Sequence, residues 1–146
     1  MRFEGERNYA LPPAALFDRL GDARLLVQAV PDATVTGTPT LDEAHCTVRP
    51  SFSFTRGNLD VTLRVADRQP TSALRFSLVS KTLGGGADVE VALQLTPNDA
   101  GTKVAWTAEL VRLTGLLKMV PTGLIRGAAQ KIIDDAWTAL DRLVST

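Results

Sequence analysis

The side chains of this sequence that could take part in catalysis are few and scattered. His45 and Cys46 are its single histidine and its single cysteine. They are neighbours on a predicted strand, where successive side chains point to opposite faces, so they do not readily form a Cys–His pair. One histidine excludes a metal site with several histidine ligands, and one cysteine excludes an internal disulfide. We therefore expect Cys46 to be a small buried apolar residue and His45 to lie on the surface.

The carboxylates and glycines give no catalytic pattern either. Asp134 and Asp135 are adjacent on a predicted helix, about 100° apart, which is typical of solvated or capping residues rather than a shared carboxylate site. Glu109 alternates with the apolar row of its strand and should face solvent. The glycines at 84–86 lack the spacing and the lysine of a phosphate-binding loop, which indicates a turn. The sequence thus predicts no enzyme, no cofactor and no metal.

Composition and length limit the possible partners, domain number and location of the chain. The 146 residues include 16 basic and 16 acidic ones, so net charge does not favour binding to nucleic acid or to an anionic membrane. The length predicts one domain over residues 1–146. The N-terminus lacks the apolar region of a signal peptide, and no apolar run approaches the ~20 residues that span a bilayer. These features predict a soluble, cytoplasmic chain without a transmembrane segment.

The C-terminal part of the chain must position everything before it, because it carries the longest amphipathic pattern. Residues 113–144 are predicted to form a long helix. Its apolar residues recur at steps of three and four: Ile125, Ala128, Ile132, Ala136, Leu140 and Leu143. Pro121 lacks a backbone N–H, so the helix should either begin or kink there.

The preceding residues alternate in the pattern of strands. A first strand over 2–10 is followed by two short helices, at 14–20 and 22–29. Later strands are predicted at 34–38, 43–54, 59–66, 74–78, 88–95 and 103–110. Their connections are too short for parallel crossovers, so the sheet should be antiparallel with one covered face. The sequence therefore predicts an α+β fold in which a strongly curved sheet grips the C-terminal helix.

Three blocks of sequence follow the order of these elements. The first is Tyr9-Ala10-Leu11-Pro12 with Leu16-Phe17 and Val30-Pro31, the second is Gly86-Ala87-Asp88-Val89-Glu90, and the third is Gly123-Leu124-Ile125-Arg126-Gly127-Ala128-Ala129. Together they resemble the carbon monoxide dehydrogenase G-like branch of the START-like, or SRPBCC, superfamily. The resemblance implies the helix-grip fold, a seven-stranded antiparallel sheet around the C-terminal helix, and an apolar cavity that holds lipids, polyketides or hormones. For the branch it implies an accessory role around molybdenum-containing dehydrogenases, through membrane recruitment or a lipid quinone.

The sequence departs from that branch at three places. Asp32 follows Pro31 where the family usually has glycine, and the glycine-rich segment at 84–86 is shorter. The glycine-rich segment would flank the implied cavity mouth, so the identity of the ligand is not transferred. The chain also ends at Thr146 without the tail that some relatives use for membrane contact, and we do not expect direct membrane anchoring.

The inward rows of the strands and one side of the helix define the predicted cavity. Gly123, Gly127 and Ala128 are too small to fill the space inside the sheet, so Gly127→Leu should fill the cavity and reduce ligand uptake with the fold intact. Ile132→Ala should mainly destabilise, by ~2–5 kcal/mol if Ile132 is fully buried. Arg56, Arg64, Arg75 and Arg112, near strand ends, are candidates for polar contacts. The predicted cavity residues are Leu26, Leu59, Val61, Leu63, Leu74, Phe76, Leu78, Val89, Val91, Trp106, Ala108, Leu110, Leu117, Val120, Leu124 and Ala128.

Three functions compete. The leading hypothesis is non-enzymatic carriage of an apolar small molecule, lipid- or quinone-like. The second is an accessory or assembly factor that contacts a redox-enzyme subunit, which rests on the resemblance. The third is a cyclase or hydrolase, for which Tyr9 and His45 would be the available acid–base residues beside a carboxylate. The oligomeric state is left open.

Overall fold

A computed structural model describes residues 1–50, 52 and 57–145 of the chain. Within these ranges the strands are β1 (Arg2–Tyr9), β2 (Ala33–Thr36), β3 (Glu43–Val48), β4 (Leu59–Gln69), β5 (Ala73–Thr82), β6 (Gly85–Asn98) and β7 (Gly101–Gly115). The helices are α1 (Pro13–Leu20), α2 (Ala23–Leu26) and α3 (Thr122–Ser145), with 3₁₀ turns at Val27–Ala29 and Leu116–Met119.

One antiparallel sheet contains all seven strands, in the order β1-β7-β6-β5-β4-β3-β2. The first strand joins the last, with Phe3 opposite Ala108. Register shifts interrupt the ladders of β4 with β5 and of β6 with β7, and such bulges bend and twist a sheet. The predicted class is confirmed: a curved antiparallel sheet, two short helices after its first strand, and a long C-terminal helix.

The two short helices close one end of the sheet. Pro13 starts α1 at a position where its missing N–H is not needed. The side chain of Asp22 caps α2 by accepting a hydrogen bond from the Arg24 backbone N–H at 2.9 Å. Arg68 of β4 donates to the backbone carbonyl of Gly21 at 2.8 Å, which fastens the junction of the helices to the sheet. Leu16 and Leu20 of α1 and Ala23 of α2 are fully buried.

The long helix is shorter at its N-terminal end than the apolar pattern predicts. Residues from 113 to 115 still belong to β7, where Leu113 pairs with Ala87 and Gly115 with Gly85. The helix begins directly after Pro121, whose carbonyl accepts hydrogen bonds from the first turn. The prediction of a helix from 113 is therefore wrong, because the glycines at the start of β6 pair with this segment instead of turning away.

Other boundaries also shift. The strand predicted at 43–54 ends at Val48, two residues before Pro50 (Phe54 lies outside the described residues). The later strands run longer than predicted, because polar residues continue the ladders beyond the last apolar position of each pattern. The turn predicted at 84–86 occupies 83–84, and Gly85 already begins β6.

Candidate ligand cavity

The concave face of the sheet and α3 enclose a cavity of about 310 Å³. Its size is at the lower end of the ~300–1,000 Å³ that is usual for small-molecule sites. The sheet contributes apolar side chains from strands β1 and β3 to β7: Phe3, Val48, Leu59, Val61, Leu63, Phe76, Leu78, Ala87, Val89, Val91, Trp106, Ala108, Leu110 and Leu113. The helix contributes Ile125, Ala128, Ala129, Ile132, Ile133, Ala136, Trp137 and Leu140, and the segment around 26–31 closes one side with Leu26, Ala29, Val30 and Pro31.

Successive side chains of a strand point to opposite faces of the sheet, and this alternation turns most of these residues towards the cavity. Val61 and Leu63 face the interior, while Asp60 and Arg64 beside them are exposed. In β7 the alternation breaks, because Leu110 pairs with Val89 but Arg112 pairs with Asp88, which leaves Val111 as the extra residue of a bulge. The bulge reverses the parity of the strand, so Leu110 and Leu113 both line the cavity.

Most residues predicted for the cavity lie on its wall, and three do not. Leu74 is buried at the end closed by the short helices, with its methyl group 3.1 Å from where a Cβ on Gly21 would lie. Val120 lies in the connection before α3, and Leu124 is 54% exposed in the first turn of that helix. These three placements are corrected: the helix approaches the sheet only from Ile125 onward.

Gly123 and Gly127 do not leave the cavity open, contrary to the sequence-based expectation. Gly123 and Gly127 are exposed, and a Cβ on either would meet nothing within 4 Å. Each is two residues from the buried Ile125, which turns it about 200° away around the helix. The small side chains that line the cavity are instead alanines: Ala108 on the sheet, and Ala128, Ala129 and Ala136 on the helix.

A charged rim lies where α3 passes the loop before β2. Lys131 donates to Asp135 at 2.7 Å, and this hydrogen bond, together with the charges of Asp135 and Asp32, raises the pKa of the lysine. All three side chains line the cavity and are exposed. The apolar interior therefore meets water at a polar edge. Sequence reasoning missed this rim, although the four-residue spacing of Lys131 and Asp135 signals a helix ion pair.

The residues singled out for catalysis lie elsewhere. Cys46 is 2% exposed, and burial raises the pKa of its thiol, as expected of a small core residue. His45 is exposed on β3, with its Nδ1 3.2 Å from the Thr62 hydroxyl and its Nε2 3.4 Å from Glu43. Both predictions are confirmed. Glu109 and Asp134 are exposed as predicted.

Tyr9 lies outside the cavity, at the junction of β1 and α3. Its hydroxyl donates to Asp141 at 2.7 Å. Burial, then this hydrogen bond, raise the pKa of the phenol well above its ordinary value. Arg7 lies 3.8 Å from the same carboxylate and 5.6 Å over the ring of Trp137. This cluster joins the first strand to the last helix.

Of the four arginines proposed for polar contacts, the three that the structure describes do not line the cavity. Arg64 pairs with Glu43 at 3.0 Å on the outer face, and Arg75 and Arg112 are exposed. Arg56 lies outside the described residues.

Among the described residues, no group of three or more His, Cys, Asp or Glu side chains is placed to hold a metal ion. No helix in the same part of the chain is both long and apolar enough to cross a membrane.

A curved seven-stranded sheet around a C-terminal helix, with an apolar cavity between them, defines a helix-grip protein. The chain belongs to the polyketide cyclase / dehydrase and lipid transport family, whose family model matches residues 1–145. A comparison with curated proteins gives no significant match.

Solved structures show the same fold at low sequence identity. A conserved protein from Geobacillus kaustophilus superposes with a TM-score of 0.82 at 16% identity, covering 99% of this chain and 95% of its own. A protein from Rhodobacter sphaeroides gives a TM-score of 0.64 at 22% identity, covering 99% and 92%. The AHSA1 protein from Silicibacter pomeroyi gives 0.67 at 17% identity, covering 99% and 98%. These similarities establish the architecture along the whole chain.

Proposed function

We propose that this protein binds and carries an apolar small molecule, of the lipid or quinone kind, in the cavity between the sheet and α3. The observation that carries the proposal is the cavity of about 310 Å³ with an almost wholly apolar wall and a charged rim. The family's description includes lipid transport, which supports the same interpretation.

Burial of hydrocarbon supplies the affinity in this proposal. An acyl or isoprenoid segment of about eight to ten carbons would gain roughly 6–8 kcal/mol at ~0.8 kcal/mol per CH₂. Association and ordering of the ligand consume part of that gain, so a dissociation constant in the micromolar range or weaker is expected. The polar end of the ligand would stay at the rim formed by Asp32, Lys131 and Asp135, where water remains accessible.

We further propose that the site acts without catalysis. Neither Tyr9 nor His45 lines the cavity. The titratable side chains that the described structure places on its wall are Asp32, Lys131 and Asp135, all exposed at the rim, where Lys131 pairs with Asp135. A cyclase would need an acid or base directed at the interior. Retention of an unchanged ligand, shown by mass spectrometry before and after incubation, would support carriage, whereas conversion of the ligand would contradict it.

Membership of the carbon monoxide dehydrogenase G-like branch, and contact with a redox-enzyme subunit, are proposals that rest on the three sequence blocks. A pull-down from the native host tests them. Recovery of a molybdenum-containing dehydrogenase is the expected result, and its repeated absence would remove this role while leaving the cavity proposal intact.

The cavity proposal is tested by placing the same side chain at two adjacent helix positions. Ala128→Leu adds bulk inside the cavity, whereas Gly127→Leu adds it on the solvent side. We expect Ala128→Leu to reduce binding of a fluorescent fatty-acid analogue about tenfold or more, and Gly127→Leu to leave binding unchanged. Titration of fluorescence at equal protein concentration measures both.

Gly127→Leu is the control here. The sequence-based expectation that it would fill the cavity assumed the wrong helix face. Circular dichroism and urea unfolding must show that both variants fold. Equal binding by the two variants would contradict the location of the site. Native mass spectrometry of protein purified from its own host then asks which ligand is present, and protein repeatedly free of ligand would contradict the carrier function.

A further inference from the structure

One hydroxyl group interrupts the apolar wall of the cavity. Ser80 of β5 follows Phe76 and Leu78 at steps of two residues, so its side chain points inward as theirs do. It pairs with Val61 of β4 on one side and with Ala87 of β6 on the other, and both neighbours also line the cavity. Among the described residues of the wall, Ser80 carries the only hydroxyl group.

No described residue supplies a hydrogen bond to the side chain of Ser80. The buried hydroxyl of Thr102 on β7, by contrast, donates to the backbone carbonyl of Leu11 at 2.7 Å. In the same part of the chain, every fully buried side-chain oxygen has a hydrogen-bond partner. The Ser80 hydroxyl is therefore not fully buried, and it is accessible from the cavity that it faces.

A ligand that covers Ser80 must remove water from its hydroxyl. A buried hydroxyl without a partner opposes binding, whereas a hydrogen bond to the ligand replaces the one lost to water. A serine hydroxyl both donates and accepts, so it can pair with a carbonyl or a hydroxyl oxygen. Lys131 is the only cation that the described residues place on the wall, and it lies on α3 at the rim. A carboxylate beside Ser80 would therefore be buried without an opposite charge, so the ligand oxygen must be uncharged.

We propose, on the basis of the carrier function above, that Ser80 determines which apolar molecules the cavity prefers. The preferred ligand carries an uncharged carbonyl or hydroxyl oxygen on its hydrocarbon skeleton, as ketones, quinones and alcohols do. A plain hydrocarbon segment fills the same space but leaves the Ser80 hydroxyl unpaired, so it binds more weakly than its size predicts.

Two ligands that share one skeleton test this role. Tetralin and α-tetralone are compact bicyclic molecules that differ by a single carbonyl oxygen, and displacement of a fluorescent fatty-acid analogue measures the affinity of each. We expect Ser80→Ala to weaken binding of α-tetralone about fivefold, roughly the net value of one hydrogen bond. The same variant should bind tetralin as well as the wild type does, or slightly better.

Ser77→Ala is the matched control on the same strand. Ser77 pairs with Arg64 and Glu90, both exposed, and does not line the cavity. This variant should change neither affinity. Ser80→Thr keeps the hydroxyl and should retain the wild-type ratio of the two affinities. An equal effect of Ser80→Ala on both ligands, or an effect on neither, would overturn the role of Ser80.

Stability of the ligand-free protein gives a second measurement. Because the hydroxyl bonds to no described residue, Ser80→Ala should leave the midpoint of urea unfolding unchanged. A clear fall would mean that the hydroxyl stabilises the fold itself, and would also overturn the proposal.

The wild-type protein separates this proposal from the carrier function. If it binds neither molecule nor the fatty-acid analogue, the carrier function fails and the role of Ser80 fails with it. If it binds both molecules and Ser80→Ala affects them alike, only the preference for an uncharged oxygen is wrong, and carriage of an apolar molecule stands.

Discussion

At the scale of single residues, one hydrogen bond joins the first strand to the last helix. Tyr9 on β1 donates to Asp141 near the end of α3. The neighbouring Arg7 contacts the same carboxylate and lies over Trp137. The neutral phenol is therefore the form that the folded protein favours, and the raised pKa of Tyr9 follows from burial and from this bond.

The pKa of Tyr9 gives a prediction about pH. Because the folded-state pKa is above the unfolded value of about 10, the stabilisation by the neutral phenol is fully present below pH ~10 and is lost as pH rises above it. Tyr9 is the single tyrosine, so absorbance of tyrosinate reports it alone. We expect no ionisation of the folded protein near pH 10 and full ionisation in urea.

The control for this titration is Tyr9→Phe, which has no phenol to ionise. It should lower the free energy of unfolding by about 1 kcal/mol below pH 10, the usual net value of a hydrogen bond. Its stability should then fall less steeply in alkali than that of the wild type. A tyrosine that titrates normally in the folded state would contradict the Tyr9–Asp141 geometry.

At the scale of elements, the orientation of α3 decides which residues form the core. Ile125, Trp137, Leu140 and Val144 are its buried residues, and Trp137 packs against Trp106 with ring centroids 5.7 Å apart. Ile132 is 43% exposed although it borders the cavity. The sequence-based expectation for Ile132→Ala required full burial and therefore does not apply.

Two alanine substitutions on α3 test this orientation. Leu140→Ala should destabilise by ~2–5 kcal/mol, because a buried side chain loses its contacts and leaves space behind. Ile132→Ala should cost only about 1 kcal/mol, since much of its side chain already meets water. Urea unfolding with an unchanged m-value measures both. Equal losses would mean that the helix is rotated about its axis, with Ile132 turned into the core.

The sequence predicts the positions of the strands and helices better than it predicts which face of each is buried. Alternation at Val61 and Leu63 places β4 correctly, and Pro121 marks the start of α3. The rotation of the helix was not predictable, because Ile125, Ala128 and Ile132 define an apolar stripe that Trp137 and Val144 only broaden. Packing of Trp137 on Trp106 selects among the possible orientations, and that contact joins residues far apart in the chain.

At the scale of the whole molecule, the cavity leaves part of the interior without contacts. A ligand that fills it binds only the folded chain and so stabilises it. At a free concentration of about 100 times its dissociation constant, the gain is about 2.7 kcal/mol. For a chain of this length that corresponds to a rise in Tm of about 5–10 °C.

The predicted rise in Tm is tested by removing the ligand. Calorimetry before and after solvent extraction and refolding should show the lower Tm in the extracted protein, restored by adding the ligand back. Ala128→Leu should show a much smaller difference, because its cavity is already partly filled. The same rise in both proteins would point to binding at another surface.

The pairing of β1 with β7 has a consequence for biosynthesis. Phe3 finds its partner Ala108 only after about a hundred further residues have been translated, which takes roughly 5–20 s at 5–20 residues per second. During that time β1 has no strand partner on the nascent chain, while the strands from β2 to β6 can pair with their neighbours in sequence. Since α3 leaves the ribosome after all seven strands, the concave face of the sheet stays open to the surroundings until the helix has been made.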